Sequence, residues 1–378
     1  MQRHKILFVI PGLRQGGAER QLLELVRRLP DRFEPMLCVF EADEIHYQEY
    51  LAPGEPRHVL GAHKISRASL RKLAGIIADE KPAIVHCYRD RANLWTRVAM
   101  KVHGVYPPIL ITSVRNRGLD LLNLLTEATL AKFTDRVLTN SVGVRDDLRR
   151  WARVPGEKIQ VIPNFVDLTR FRPPASGERE AARQKFGLAT TDQVLVLPGR
   201  VSIQKHQLGL LAALRRVSKA GGLPRNTRIL LAGRERDRLY SRLVRRFIVR
   251  WGLSDCIRLV GSVSDVLGLY HSADLVLMPS LYEGMPNAVI EGHACGLPVL
   301  VSRAANVDHL VVPGQTGFEV PTADRHALAE TLARVLTLSK TELETMGQRG
   351  REHMLRMLDN EAILGMFTSL YDRLLAGP

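Results

Sequence analysis

The feature that most narrows the folds open to this chain is a rhythm. Short apolar runs alternate with segments of helical periodicity from end to end. Runs of that kind form the strands of parallel sheets, whose connecting helices cover both faces. In the N-terminal half the runs are Ile6–Ile10, Met36–Phe40, Ile84–Cys87, Ile109–Thr112, Val137–Asn140 and Gln160–Ile162. In the second half they are Val194–Leu197, Arg228–Ala232, Ile257–Val260, Leu275–Met278, Pro298–Ser302 and Gly317–Val320. Between them lie helices such as Glu19–Leu29, which sets Leu22, Leu25, Val26 and Leu29 on one face and is stopped by Pro30. At 378 residues the chain is long for one core and suits two domains of ordinary size. The break falls after Pro163-Asn164-Phe165, where Arg172–Glu178 reads as a linker. The expected architecture is therefore α/β, with two doubly wound Rossmann-like domains facing a central cleft. Residues 1–170 form the first and 171–360 the second. From Asp324 onward the pattern is helical throughout, and a last helix at about 361–378 has room to return to the first domain.

In doubly wound sheets ligands bind at the carboxyl ends of the strands, so those ends carry the functional reading. The stretch Met278–Val301, MPSLYEGMPNAVIEGHACGLPVLV, is the richest. Pro favours the first position of a helix, which starts a helix at Pro286 and leaves Glu283 in the turn before it. Glu291 then falls in the second helical turn. The amides of Asn287, Ala288 and Val289 are expected to be open at the helix start, where the dipole favours an anion. One carboxylate can accept sugar hydroxyls, the amides can hold phosphate, and the other carboxylate can accept ribose hydroxyls. Upstream, Pro198-Gly199-Arg200-Val201-Ser202-Ile203-Gln204-Lys205 follows a strand, and Arg200 and Lys205 can both reach one diphosphate. Gly233 ends another strand, and Val263 in Gly261–Asp265 can line a base pocket with its main chain. After the first strand, Gly16-Gly17 opens a helix and lets backbone amides approach a phosphate or sugar ring.

The net charge of +15 and a pI near 10 call for an anionic partner: nucleic acid, a phosphorylated ligand or an anionic membrane face. The bases are spread along the chain, with no aromatic-basic motif of an RNA module and no helix-turn-helix signature. The four cysteines, Cys38, Cys87, Cys256 and Cys295, form no CxxC pair and read as buried thiols of a reducing compartment. The apolar run Ile6–Pro11 goes straight into a glycine turn and reads as a strand rather than a signal peptide. No run approaches the ~20 residues of a membrane helix. A cytoplasmic protein is expected, with peripheral contact to the inner membrane face as a further option. Two segments bear on that option. Arg242, Arg245, Arg246 and Arg250 surround Leu243, Val244, Phe247, Ile248 and Val249 in a basic amphipathic helix, for which a core-facing apolar side is the preferred reading. Leu119–Lys132 is unusually apolar and follows Arg115 and Arg117.

GRVSIQK (199–205), LLAGRE (230–235), GSVSD (261–265) and LYEGMPNAVIEGHACGLPVLVS (281–302) occur in that order. Together they resemble the C-terminal domain of family-4 retaining glycosyltransferases of the GT-B fold. PGLRQGGAER resembles that family's N-terminal acceptor-side loop and VIPNFVDLTRFRP its interdomain segment, so the resemblance spans the chain. It implies that Arg200 and Lys205 bind the donor diphosphate and assist its departure, that Glu283 meets the transferred sugar, and that Glu291 holds the ribose. Met285, Pro286, Asn287 and Ala288 would surround sugar and phosphates, and Gly16 and Gly17 would let the first domain close over the diphosphate. It also implies a metal-independent enzyme without cofactor, a UDP-sugar in preference to a GDP-sugar, and a saccharide or lipid-linked saccharide acceptor. Many members carry a His after the strand at 109–112; here Val114 and Arg115 stand there. Arg115 and His86, which follows another strand, are left as acceptor or cleft candidates.

The expected reaction is retaining transfer of a hexosyl-type sugar from a nucleoside diphosphate to an acceptor hydroxyl. A sugar-nucleotide epimerase or hydrolase of the same fold is the alternative and needs a dedicated acid/base in the cleft. A basic nucleic-acid-binding protein is the non-enzymatic alternative.

Overall fold

The computed structural model describes residues 3–13, 16–41, 57–107, 109–117, 121–235 and 237–377. The chain divides into two compact units, one of Met1–Phe165 with Asp359–Pro378 and one of Val166–Leu358. Among the described residues the first unit holds seven strands: β1 (His4–Ile10), β2 (Phe33–Val39), β3 (Arg57–Val59), β4 (Ile84–Tyr88), β5 (Ile109–Val114), β6 (Arg136–Thr139) and β7 (Ile159–Val161). Their order is β3-β2-β1-β4-β5-β6-β7. The second holds β8 (Gln193–Pro198), β9 (Thr227–Ala232), β10 (Ile257–Gly261), β11 (Leu275–Met278), β12 (Val299–Ser302) and β13 (Gly317–Val320), in the order β10-β9-β8-β11-β12-β13. Every pairing is parallel. In each sheet the winding reverses once, between β1 and β4 and between β8 and β11. At such a point the two neighbouring connections leave in opposite directions and open a crevice at the strand ends.

The strands stay inside because their residues are apolar on both faces. Ile6–Ile10 and Val194–Leu197 are wholly buried. The Gly17–Arg28 helix adds Leu22, Leu23, Leu25 and Val26 to the first core. The expected strands all form, with ends shifted by a few residues. β3 was not foreseen: three residues, Arg-His-Val, carry no apolar run.

The terminal helix, Asn360–Leu375, belongs to the first unit. It buries Ile363, Phe367, Leu370 and Tyr371 there. Phe367 stacks on Phe165 at 5.8 Å between centroids, and Tyr371 meets Phe33 edge-on at 5.5 Å. Gln21 and Phe165 exchange two hydrogen bonds: the Gln21 amide donates to Phe165 O at 2.8 Å, and Phe165 N–H donates to Gln21 Oε1 at 2.7 Å. The expected linker is tied to the second unit. Arg172 donates to both Glu178 oxygens at 2.8 and 2.7 Å, and Ala175 N–H adds a third bond at 2.7 Å.

In the Arg238–Arg250 helix the apolar side faces the core, as preferred from sequence. Tyr240, Val244 and Ile248 are buried, Phe247 and Trp251 pack against the same core, and Arg242, Arg246 and Arg250 are exposed. Most of its amphipathicity is thus explained by folding, while Leu239 and Val249 stay exposed. All four cysteines are buried free thiols. Among the described residues no helix is long and apolar enough to cross a membrane.

Each unit encloses a fully buried histidine, His86 and His293. Burial pushes His86 down to about 3 and His293 down to about 4. In the unfolded chain both protonate near 6.5, so the unfolded state gains protons first as pH falls. Stability from both is present above about 6.5 and declines as pH drops toward 4. Melting temperatures measured from pH 7 to pH 4 should fall across that window. His86→Gln, which keeps hydrogen-bonding groups and removes the titration, should flatten the slope for the first unit.

Candidate functional site

In the second unit the loops after β8 and β11, on either side of the winding reversal, are stitched together. Gly199 N–H donates to Ala232 O at 2.8 Å and Val201 N–H to Arg234 O at 3.1 Å, which carries the β8–β9 pairing past the strand ends. The two backbones approach so closely that a Cβ on Gly233 would stand 2.1 Å from Gly199 O. Beyond Gly199 the chain makes a tight turn at Ile203–Lys205 and enters the Gln207–Lys219 helix. Gln207, fully buried, donates to Arg200 O at 2.9 Å and accepts from Ser202 N–H at 3.3 Å. Gln204 donates to Tyr282 O at 3.0 Å while its own carbonyl accepts from Leu281 N–H at 2.8 Å. Gln204 thus ties the basic loop to the acidic one, and Gln207 braces the basic loop from the helix that follows it. Their partners are main-chain atoms, so no pattern of side chains announces them.

The result is an ion pair at the reversal point. Lys205 Nζ lies 2.6 Å from Glu283 Oε1 and 3.4 Å from Met278 Sδ at the end of β11. Both side chains are about nine-tenths buried, at 13% and 10% exposure. Arg200 is half-buried on the same loop, with Nη2 3.4 Å from Gln204 Oε1. An ammonium has three donors, so Lys205 can hold Glu283 and still offer protons to an anion.

The helix after Glu283 runs Asn287–Ala294, with Pro286 in extended conformation as its N-cap. It therefore starts one residue later than expected. Of the three amides expected to be open, that of Val289 is spoken for: it donates to Pro286 O at 3.0 Å. Met285 and Pro286 are buried, Asn287 and Ala288 half-buried. Glu291 is 5% exposed, and its Oε2 accepts from Tyr270 OH at 2.9 Å. Tyr270, twenty-one residues upstream of Glu291, is a further residue that sequence alone did not single out. Gly292 lets this helix settle on the sheet, since a Cβ there would meet Val276 at 2.7 Å. Val263 lies beyond β10, the edge strand, two strands from β8.

The first unit places its candidates differently. Gly16 caps the Gly17–Arg28 helix in extended conformation. A Cβ there would stand 2.2 Å from Glu19 Oε2, so the buried Glu19 carboxylate folds back over the glycine. Arg89, left-handed at φ +77°, donates to Glu19 Oε1 at 2.6 Å. An ion pair therefore spans this unit's reversal as well, between the first turn of the helix after β1 and the residue that follows β4. Arg14 and Gln15 of the same loop lie outside the described residues.

His86 is corrected. It is fully buried, and both ring nitrogens are taken, Nδ1 by Tyr371 OH at 2.8 Å and Nε2 by Ser113 Oγ at 2.9 Å. It anchors the terminal helix, and its ring has no nitrogen left for a ligand. Arg115 is half-buried, donates to Asn164 Oδ1 and lies 5.6 Å over the Tyr88 ring. Among the described residues no group of three or more His, Cys, Asp or Glu side chains is placed to hold a metal ion.

Comparison with known proteins follows the same division. Residues 15–170 match the family described as Glycosyltransferase Family 4, and residues 192–338 match Glycosyl transferases group 1, so together they take in most of the chain. The UDP-Gal:alpha-D-GlcNAc-diphosphoundecaprenol alpha-1,3-galactosyltransferase of Escherichia coli is 27% identical over 274 residues, 71% of this chain and 70% of that enzyme. The D-inositol 3-phosphate glycosyltransferase of Saccharomonospora viridis is 30% identical over 62% of this chain, which spans only 54% of that enzyme. The crystal structure of Anabaena Alr3699/HepE with UDP and glucose superposes with a TM-score of 0.85 at 20% identity, over 98% of this chain and 100% of that one.

Gly233→Ala tests the stitched strand ends. The added methyl meets main chain, which cannot swing aside, so the substitution should cost about 1 kcal/mol or more and lower the melting temperature of a unit this size by roughly 2–4 °C. Calorimetry of wild type and variant measures both.

Proposed function

The chain belongs to the family-4 glycosyltransferases of the GT-B fold, and from that membership we propose that it transfers a hexosyl-type sugar with retention from a UDP-sugar to a hydroxyl of a saccharide or lipid-linked saccharide. The observation that carries the donor assignment is the buried Lys205–Glu283 pair at the β8/β11 reversal, beside Arg200 and the head of the Asn287–Ala294 helix. The reaction breaks the bond between the anomeric carbon and a phosphate oxygen, and negative charge grows on the departing diphosphate. Stabilising that charge is the main demand. Arg200 and Lys205 would meet it together with amides at the helix start. Met285, Pro286, Asn287 and Ala288 would border the sugar and phosphates. Gly233 serves by keeping the Arg200 loop close to β9, and Val263 would line the base with its main chain. Glu291, oriented by Tyr270, would accept from the ribose hydroxyls. The Gly16–Gly17 turn would offer its backbone to a phosphate or sugar from the first unit.

Glu283 Oε1 is occupied by Lys205, which favours an orienting role, with Oε2 accepting a sugar hydroxyl. In the preferred same-face route the acceptor oxygen bonds to the anomeric carbon on the side the diphosphate leaves. The acceptor proton passes to the departing phosphate oxygen, so no protein base is required. The epimerase reading needs a dedicated acid/base, and His86, fully buried with both ring nitrogens bonded, does not offer one. The UDP named with the Anabaena structure and the UDP-Gal and diphosphoundecaprenol named with the Escherichia coli relative support the choice of donor and acceptor class. Buried free thiols fit a reducing compartment.

A thermal-shift panel of UDP- and GDP-sugars should single out a UDP-sugar. Arg200→Ala and Lys205→Ala should each lower kcat by about 10²–10³, the usual loss for one charge-stabilising donor. The product should keep the donor's anomeric configuration by NMR. Unchanged turnover in both variants, or epimer formed from donor alone, would sink the assignment.

A further inference from the structure

The Leu121–Leu130 helix of the first unit packs Leu124 on the core but turns two other leucines outward. Leu122 is 67% exposed and Leu125 53%. The cause is a buried ion pair on the opposite side. Glu127 receives two hydrogen bonds from Arg97, at 2.8 and 2.9 Å, and the Arg97 side chain is wholly enclosed, donating also to Thr134 and Thr112 at 2.9 Å each. A charge sunk this deep must keep its partner, so Glu127 fixes the roll of the helix and Leu122 and Leu125 face outward. Spacings of three and four residues carry their stripe through Thr129 to Phe133, which is 38% exposed.

The rim of this stripe is basic. The ammonium groups of Lys101 and Lys132 each lie 5.2 Å from the Phe133 ring. Both lysines are exposed, and the neighbouring Asp90–His103 helix packs on the leucine helix and ends in the exposed Val102. The acids near the helix are engaged: Glu127 by Arg97, Asp135 by Leu110 N–H at 2.7 Å, and Asp90 by the Asn123 amide at 3.3 Å. The apolar stretch noted from sequence is thus split by the fold into an acidic inner side and an apolar outer side with a cationic edge.

We infer that this stripe docks on an anionic phospholipid surface, with Leu122 and Leu125 entering the acyl boundary and Lys101 and Lys132 reaching the headgroup phosphates. Two outward leucines beside lysines whose stems can bend toward phosphate match such a surface. The inference deepens the proposed function and rests on it for its use, since a lipid-linked acceptor sits at that surface. Its test does not depend on catalysis.

The protein is sedimented with vesicles of phosphatidylcholine containing phosphatidylglycerol and with phosphatidylcholine alone. Binding should require phosphatidylglycerol and weaken in high salt. Lys101→Ala and Lys132→Ala should each reduce the partition coefficient about fivefold. Leu122→Ser with Leu125→Ser should reduce it about tenfold or more, while the thermal shift with UDP-glucose stays as in wild type. No binding to the anionic vesicles, equal binding to neutral ones, or undiminished binding by the double leucine variant would overturn the inference. So would a dimer in light scattering that the leucine substitutions dissolve, since a second copy would then cover the stripe. A wild type that binds vesicles but gives no shift with any nucleotide sugar would count against the proposed function and leave the docking surface standing.

Discussion

A parallel sheet must return its chain across one face after every strand, and when the winding changes direction two connections part and leave strand ends uncovered. Both units meet that constraint at their centre, and both place opposite charges there. In the second unit the pair is Lys205 and Glu283, in the first Arg89 and Glu19. Charges drawn out of water are expensive unless paired, so the buried Lys205–Glu283 pair fixes two loops of the second unit, while the buried Glu19 carboxylate of the first holds the half-exposed Arg89. In the second unit, Gln204 adds main-chain bonds to that tie. The groups proposed to meet the donor are therefore seated before any donor arrives, which is what charge stabilisation requires.

Much of this was legible in the chain. Apolar runs buried on both faces can hardly be anything but parallel strands, and the glycine and proline punctuation around Glu283 and Glu291 located the acidic loop and its helix. What escaped has a common character. β3 is an edge strand of three residues whose partner, not its composition, makes it a strand. Gln204, Gln207 and Tyr270 act on main-chain atoms or on a side chain distant in sequence. His86 stands near the end of β4, where a ligand-binding residue could also stand, and its bonds to Ser113 and to Tyr371 from the far end of the chain show it to be a core histidine. The roll of the Leu121–Leu130 helix was equally hidden, because ten residues rich in leucine suggest an inward face until Arg97 claims Glu127.

The GLP break after Glu291 shows how the second unit keeps its site helix in place. His293 Nδ1 bonds to Leu297 O at 2.9 Å and steadies the break. The Lys340–Met357 helix then lies against it with two glycines at the contact: a Cβ on Gly347 would meet Gly296 O at 1.9 Å, and one on Gly350 would meet His293 Nδ1 at 2.3 Å. With Gly292 against the Val276 side chain on the sheet side, the short helix is clamped closely between two surfaces. Glu291 is consequently held by backbone packing as well as by Tyr270.

The terminal helix bears on the order of assembly. Residues 359–377 complete the first unit, yet they leave the ribosome after the whole of the second. Domains made first usually fold first; here the unit begun first must wait, with Phe33, His86 and Phe165 lacking the side chains that cover them, while the unit begun later can already close. The newborn chain therefore carries an unfinished half until its last turn of helix is made.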